Sequence, residues 1–510
     1  EALVVRKGDI AYAGPLKAAR KLAPEARDID LAGAAAYPGF VDSHAHLAGI
    51  GMRELTLSLE GTPSIEALIV RLKAWAAEHP GKDPVIGRGW IETHWPEGRF
   101  PTAADLDLAI SDRPVVLTRA DGHALVANTA AMARAGVTTA TQAPTGGQIL
   151  RTASGAPAGM FVDNAMSLVR AAMPAPSAEL KRQAELKGVE VYASRGWTGL
   201  HNMAASAEEY ATLQDMARAG TLKIRVDTYM SGKDSDRVLK TGRSGAPRDM
   251  LRLMGVKLFM DGALGSRGAA LLAPYSDAEG MGLLVTPPEE LARIMSAAQE
   301  SGAQIAIHAI GDRGNRLALD DFETAFAKNP SALKAARWRV EHAQVLSPED
   351  MPRFAKLGVV ASMQPSHAIG DLFFAPSRLG PDRLKGAYAW QTLLKSGALV
   401  AGGTDAPVEK GDPLVEFYAA IYRHDLSGFA GPNWGLDEAV SRAQALKMFT
   451  TGAAEASFRE ADFGRLAVGR PADISVFSVD LMTAPYADIA KAHAVMTVVA
   501  GKIAYDGRRP

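Results

Sequence analysis

The sequence predicts an α/β protein: a (β/α)8, or TIM, barrel inserted in a small β-sandwich formed by both chain ends, with a large insertion after barrel strand 1. Three observations carry this. The apolar run Ala36-Tyr37-Pro38-Gly39-Phe40-Val41-Asp42-Ser43 closes in His44-Ala45-His46, and side chains two apart in a strand share one face. Four later segments have the same form, a short β-rich run ending in a polar residue beside a loop: Gly255 to Gly262, Gln304 to Gly311, Trp338 to Gln344 and Leu399 to Pro407. Helical patterns lie between them, and this alternation points to parallel βα units. Further strands are expected at Trp197 to Asn202, Lys223 to Met230 and Val359 to Gln364, which brings the set to eight. In such a barrel, polar residues at the C-terminal strand ends gather on one face.

The remaining elements follow in order. Residues 1–37 and 465–510 read as halves of one β-sandwich domain. Leu3 to Ala13 alternates and turns at Lys7-Gly8-Asp9, while Gly464 to Phe477 and Val495 to Asp506 read as strands with Gly and Asp turns. Residues 38–464 make the barrel, including the insertion at 51–195. The insertion starts with a helix opened by Thr62-Pro63, with Ile65, Leu68, Leu72 and Trp75 as its apolar stripe, and later holds a hairpin from Gln148 to Phe161 around Ser154-Gly155. Thr286-Pro287-Pro288-Glu289 and Ser347-Pro348-Glu349-Asp350 predict capped helix starts with proline in the first turn. At 510 residues, the chain exceeds a bare barrel of about 250, which leaves room for these additions.

Composition narrows the chemistry. The balance of 56 Lys plus Arg against 57 Asp plus Glu offers no basic face for nucleic acid and no polybasic membrane anchor. No run approaches the roughly 20 apolar residues of a membrane span, and none reads as a signal peptide. The start at Glu1 without methionine points to removal of an N-terminal segment, so a periplasmic or secreted location stands beside a cytoplasmic one. With zero cysteines, disulfides, thiolate metal sites and a cysteine nucleophile are excluded, leaving His, carboxylate or modified lysine as ligands. The partner expected is a small-molecule substrate, and a homo-oligomer is compatible with this composition.

Singly, each later histidine reads as a satisfied core residue, and Asp405 in Asp-Ala-Pro as a turn residue. As an ordered set with His44 and His46, they read as a metal site. Trp90, His94, Trp95 and His123 fall in the insertion, which emerges on the catalytic face and so is expected to meet substrate. His123 could hydrogen-bond a substrate carbonyl or its oxyanion, or else serve as a loop residue bonded to backbone. Gln364, Ser366 and His367 follow strand seven and are expected at the substrate, with His367 equally suited to capping a loop.

His44 and His46 after strand one, His308 and His342 after strands five and six, and Asp405 after strand eight resemble the ordered signature of the amidohydrolase superfamily. Val256-Lys257-Leu258-Phe259 with Asp261-Gly262-Ala263-Leu264-Gly265-Ser266-Arg267, and Thr404-Asp405-Ala406-Pro407-Val408, are similar to the branch that contains N-substituted formamide deformylases. Gly89-Trp90, Pro101-Thr102, Asp121-Gly122-His123, Gly464-Arg465-Leu466 and Ala472-Asp473 extend the resemblance across nearly the whole chain. It departs at His201-Asn202, where relatives often carry an aspartate after the histidine.

The resemblance implies two divalent metal ions, zinc first among the borderline ions, with His44, His46 and Asp405 on one and His308 and His342 on the other. It also implies that Lys257, carboxylated by carbon dioxide, bridges both; the plain alternative is a lysine neutralising Asp261. The implied activity is hydrolysis of a nonpeptide C–N bond, in an N-acyl or N-formyl amide, by metal-activated hydroxide with Asp405 as catalytic proton shuttle. A ring aminohydrolase working with one metal, an esterase or lactonase, and a non-enzymatic binding protein are the alternatives.

Overall fold

The computed structural model describes residues 1–508 except His94 and Asn433. Among these residues, eight strands form one parallel sheet whose spatial order follows the chain. They are β1 (Phe40–Ala45), β2 (Trp197–Ala205), β3 (Arg225–Ser231), β4 (Leu251–Phe259), β5 (Gln304–Ala309), β6 (Arg339–His342), β7 (Val360–Met363) and β8 (Val400–Gly402). All eight expected strands are present, with β2 running on to Ala205. β5, with all six residues buried, shows why they lack alternation: the barrel interior covers one face and helices the other.

The seam between β8 and β1 is tied by one buried carboxylate. Asp42 accepts from the backbone N–H of His44 and Thr404 at 3.0 and 2.9 Å, and from the Thr404 and Tyr192 hydroxyls at 2.7 Å each. Backbone bonds complete the junction: Asp405 N–H donates to His44 O at 2.6 Å, and His46 N–H to Ala406 O at 2.8 Å. The two segments richest in expected ligands are thereby joined side by side.

After β1 the chain forms α1 (Leu47–Leu55) and enters the insertion. There a six-stranded sheet spans residues 57 to 163, its last two strands being the expected hairpin, Gly147–Arg151 with Pro157–Asp163. α2 (Ile65–Glu78) packs Ile65, Leu68 and Leu72 beneath it. Ser64, rather than Thr62, caps α2 by accepting from Ala67 N–H at 3.0 Å; the Thr62 hydroxyl instead donates to Leu59 O in the preceding turn. The other two expected caps also differ. The helix Pro288–Ser301 starts with no side-chain cap, and Ser347 donates to Asp350 at 2.7 Å, delaying that helix to Met351.

α3 (Ala178–Arg195) returns the chain to β2 and packs along α1. The two backbones touch at Gly51, where a Cβ would lie 1.7 Å from Ala184 O. Gly51→Ala is therefore expected to cost about 1–3 kcal/mol by overpacking, read as a lower urea midpoint at unchanged slope.

The chain ends meet as expected of a sandwich. Ala35–Pro38 pairs antiparallel with Ile474–Phe477 in a four-stranded sheet, and the Ala2–Arg6/Asp9–Gly14 hairpin packs Ile10 onto Ile474, Val476 and Met496. Arg225 of β3 reaches Asp473 at 2.6 Å, locking the N-terminal end of the barrel to this domain.

Candidate metal centre

At the C-terminal ends of β1, β5 and β6, four imidazoles each spend one ring nitrogen on an oxygen outside their own cluster. His44 Nδ1 lies 2.6 Å from Glu341 Oε2, His46 Nδ1 3.0 Å from Met203 O, His342 Nδ1 2.8 Å from Gln364 Oε1, and His308 Nε2 3.3 Å from Gly262 O. These oxygens only accept, so each nitrogen facing them carries the hydrogen. The opposite nitrogen is left with its lone pair.

Burial drives His44, His308 and His342 well below the usual histidine range, and neighbouring positive groups, Lys257 for His44 and His342 and His123 for His308, push the same way. All three are held neutral, the form that ligates a metal. The His44 and His342 ring centroids lie 4.9 Å apart, and those of His308 and His342 4.5 Å.

Asp405 completes the inner face. Its Oδ1 sits 3.4 Å from His44 Nε2 and 3.2 Å from His46 Nε2, and the ligand atoms of these three residues lie within 4.8 Å of one another. Burial opposes its charge, yet His44, His46 and His367 hold its carboxyl below the usual carboxylate range. Two imidazole lone pairs and a carboxylate oxygen converging in a buried site are a donor set that fits a divalent cation such as zinc.

Lys257 Nζ lies 3.2 Å from His44 Nε2, above the Phe259 ring. Burial brings its amine down to about 8. It does not neutralise Asp261, as the plain alternative expected. Asp261 is already held by the backbone N–H groups of Ile310, Gly311 and Ala270 at 2.8–2.9 Å.

Behind the cluster, Arg339 grips Glu341 through Nε and Nη2 along one edge of its guanidinium, at 2.7 and 3.1 Å, so the acceptor for His44 is fixed in place. The same fully buried arginine donates to Ser43 O, Ser362 Oγ, His201 Nδ1 and the Tyr229 hydroxyl, spanning the barrel interior. His201 thus supports Arg339, while Asn202 accepts from Leu47 N–H and seats the start of α1.

The cluster opens into a cavity of about 310 Å³. His123 from the insertion and His367 after β7 both line it. His123 lies 5.0 Å from the His308 ring and bonds through Nδ1 to Asp163 at 2.6 Å. Burial works against its charged form, but the hydrogen bond and charge of Asp163 prevail and raise its pKa. His367 stacks over His342, and its Nε2 stands 3.8 Å from both Asp405 Oδ2 and Glu409 Oε1.

Other residues expected at the substrate are placed elsewhere. Trp90 and Trp95 lie in the core of the insertion, their indole N–H groups bonded to Leu117 O and Thr62 O, because the Gly-flanked Trp90 ends a strand, Val85–Trp90, that packs on α2. Gln364 is turned inward as the acceptor for His342. His94 lies outside the described residues.

Sequence reasoning assigned no role to Glu341, Arg339, Asp42, Asp163 or Glu409. The one local signal was Arg339-Val340-Glu341, two charges on the same face of an otherwise apolar strand.

A family model described as "Amidohydrolase family" matches residues 27–505. The chain belongs to the amidohydrolase family. YtcJ of Bacillus subtilis (strain 168) is 33% identical over 514 residues, covering 99% of this chain and 96% of its own. An N-substituted formamide deformylase of Arthrobacter pascens is 26% identical over 522 residues, covering 99% and 95%. Among solved structures, an uncharacterized metal-dependent hydrolase from Pyrococcus horikoshii OT3 superposes with a TM-score of 0.76 at 30% identity, over 95% of this chain and 94% of that one. This amidohydrolase is an enzyme, a metal-dependent hydrolase, and among its described residues no helix is long and apolar enough to cross a membrane.

Proposed function

We propose that the enzyme hydrolyses a nonpeptide C–N bond in an N-acyl or N-formyl amide. Support comes from the likeness to a relative named for formamide deformylation and, above all, from the two faces of Asp405. Its Oδ1 points at His44 and His46, whereas its Oδ2 points at His367 in the cavity wall. One carboxylate can therefore hold a cation with one oxygen and a proton with the other.

His44, His46 and Asp405 would hold one divalent cation and His308 and His342 a second, zinc being the ion best suited to this set. Such cations supply Lewis acidity when bound, lowering the pKa of water and polarising the acyl oxygen. Asp405 Oδ2 accepts the proton of the attacking water and passes it to the departing nitrogen, which leaves poorly as an amide anion. His123, carrying hydrogen on Nδ1 toward Asp163, presents Nε2 to the cavity and donates to the acyl oxygen as charge builds there. Burial lowers the Lys257 amine to about 8 and so favours its neutral form, the one that adds carbon dioxide to give a ligating carbamate.

A single-metal aminohydrolase is the second reading, favoured by one observation: among the described residues only His44, His46 and Asp405 form a three-ligand cluster. Zinc- or manganese-loaded protein, assayed for metal per chain and screened on N-acyl and N-formyl amines, ring amidines and lactones, separates the two. Two metals with amide turnover are expected. One metal with turnover of ring amidines alone would overturn the amide reading. In the same assay, Lys257→Ala should lose metal and most turnover and recover part of both with short carboxylic acids; a variant that keeps both metals removes the carbamate.

A further inference from the structure

We propose that Asp163 is a positioning residue that aims His123 at the acyl group, and that the glycine backbone after β4 holds Asp163 in place; this rests on the role given above to His123. Asp163 closes the strand Pro157–Asp163 of the insertion sheet, with φ of 48°, an uncommon conformation for a residue other than glycine. Its backbone N–H donates to His123 O at 2.9 Å while its Oδ1 meets His123 Nδ1 at 2.6 Å. A third bond, His123 N–H to Asp121 Oδ1 at 3.1 Å, fixes the backbone beneath the ring. Rotation of the imidazole would break the side-chain bond, so Nε2 is kept toward the cavity.

The other oxygen of Asp163 shows what holds the aspartate itself. Among the described residues Oδ2 is buried with no hydrogen-bond partner, and it lies against Gly262 and Gly268, where a Cβ on either would come within 2.5 Å. Leaving a buried carboxylate oxygen unpaired is costly and is kept where geometry serves function. The loop that seats it also supplies Gly262 O, the acceptor for His308. Insertion and barrel are thus registered to each other at the point where His123 meets His308, 5.0 Å ring to ring.

The test is a double-variant cycle on the metal-loaded enzyme with an amide substrate, reading kcat, KM, metal content and melting temperature. Asp163→Ala, which removes the acceptor, should lose about 100-fold in kcat with KM and metal content unchanged, and a crystal structure should show the His123 ring displaced. Added to His123→Ala, it should cause no further loss, since the two act as one unit. Gly268→Ala, which alters no polar group, should lower kcat in the same way. Multiplying losses in the double variant, or loss of metal in Asp163→Ala, would make Asp163 a purely structural residue and overturn the proposal while leaving His123 in place. Full turnover of His123→Ala would overturn both.

Discussion

Asp405→Asn will retain its metal and lose about 10² to 10⁴ in kcat. The residue is fixed by its own backbone N–H on His44 O at 2.6 Å, so the exchange leaves the side chain where it is. An amide oxygen can replace Oδ1 beside His44 and His46, but the amide group cannot take up a proton where Oδ2 now faces His367. Metal content and turnover must be measured on the same preparation, because loss of metal alone would also silence the enzyme. Near-normal turnover at full metal content would move the proton to His367 or His123.

Arg339→Met is expected to lower the unfolding free energy by about 3–5 kcal/mol, the cost of stranding one member of a buried ion pair. Arg339 is fully buried, and no water can replace its grip on Glu341. Without it, Glu341 must either remain an uncompensated anion or take up a proton, and in either case the acceptor for His44 Nδ1 changes character. Urea denaturation of the apo protein measures the stability term; metal titration measures the second effect. Combining Arg339→Met with Glu341→Gln should recover part of the stability but not the metal affinity. A loss below about 1 kcal/mol would show that the pair contributes no more than an exposed one.

The barrel and the inner residues of its mouth were legible in the chain because each strand carries its chemistry locally, an apolar run with one polar residue at its end. His44, His308, His342 and Asp405 all lie where that pattern put them. The residues that orient them were not legible, since His44 and its acceptor Glu341 are 297 positions apart and share no motif. Trp90 and Trp95 misled for a related reason. Tryptophan near glycine resembles a binding loop until the sheet that buries it is seen. His123 was placed on the correct face, but its partner Asp163 sits 40 residues on, across a sheet whose topology the chain does not announce.

The seam tied by Asp42 makes the ligand cluster depend on closure of the barrel. Asp42 and Thr404 are 362 positions apart, in the segments of the first and last barrel strands, so the contact closes a long stretch of chain on itself. His44 and His46 stand on one side of that seam and Asp405 on the other. The three-ligand cluster therefore exists only where the closed seam brings these two segments side by side.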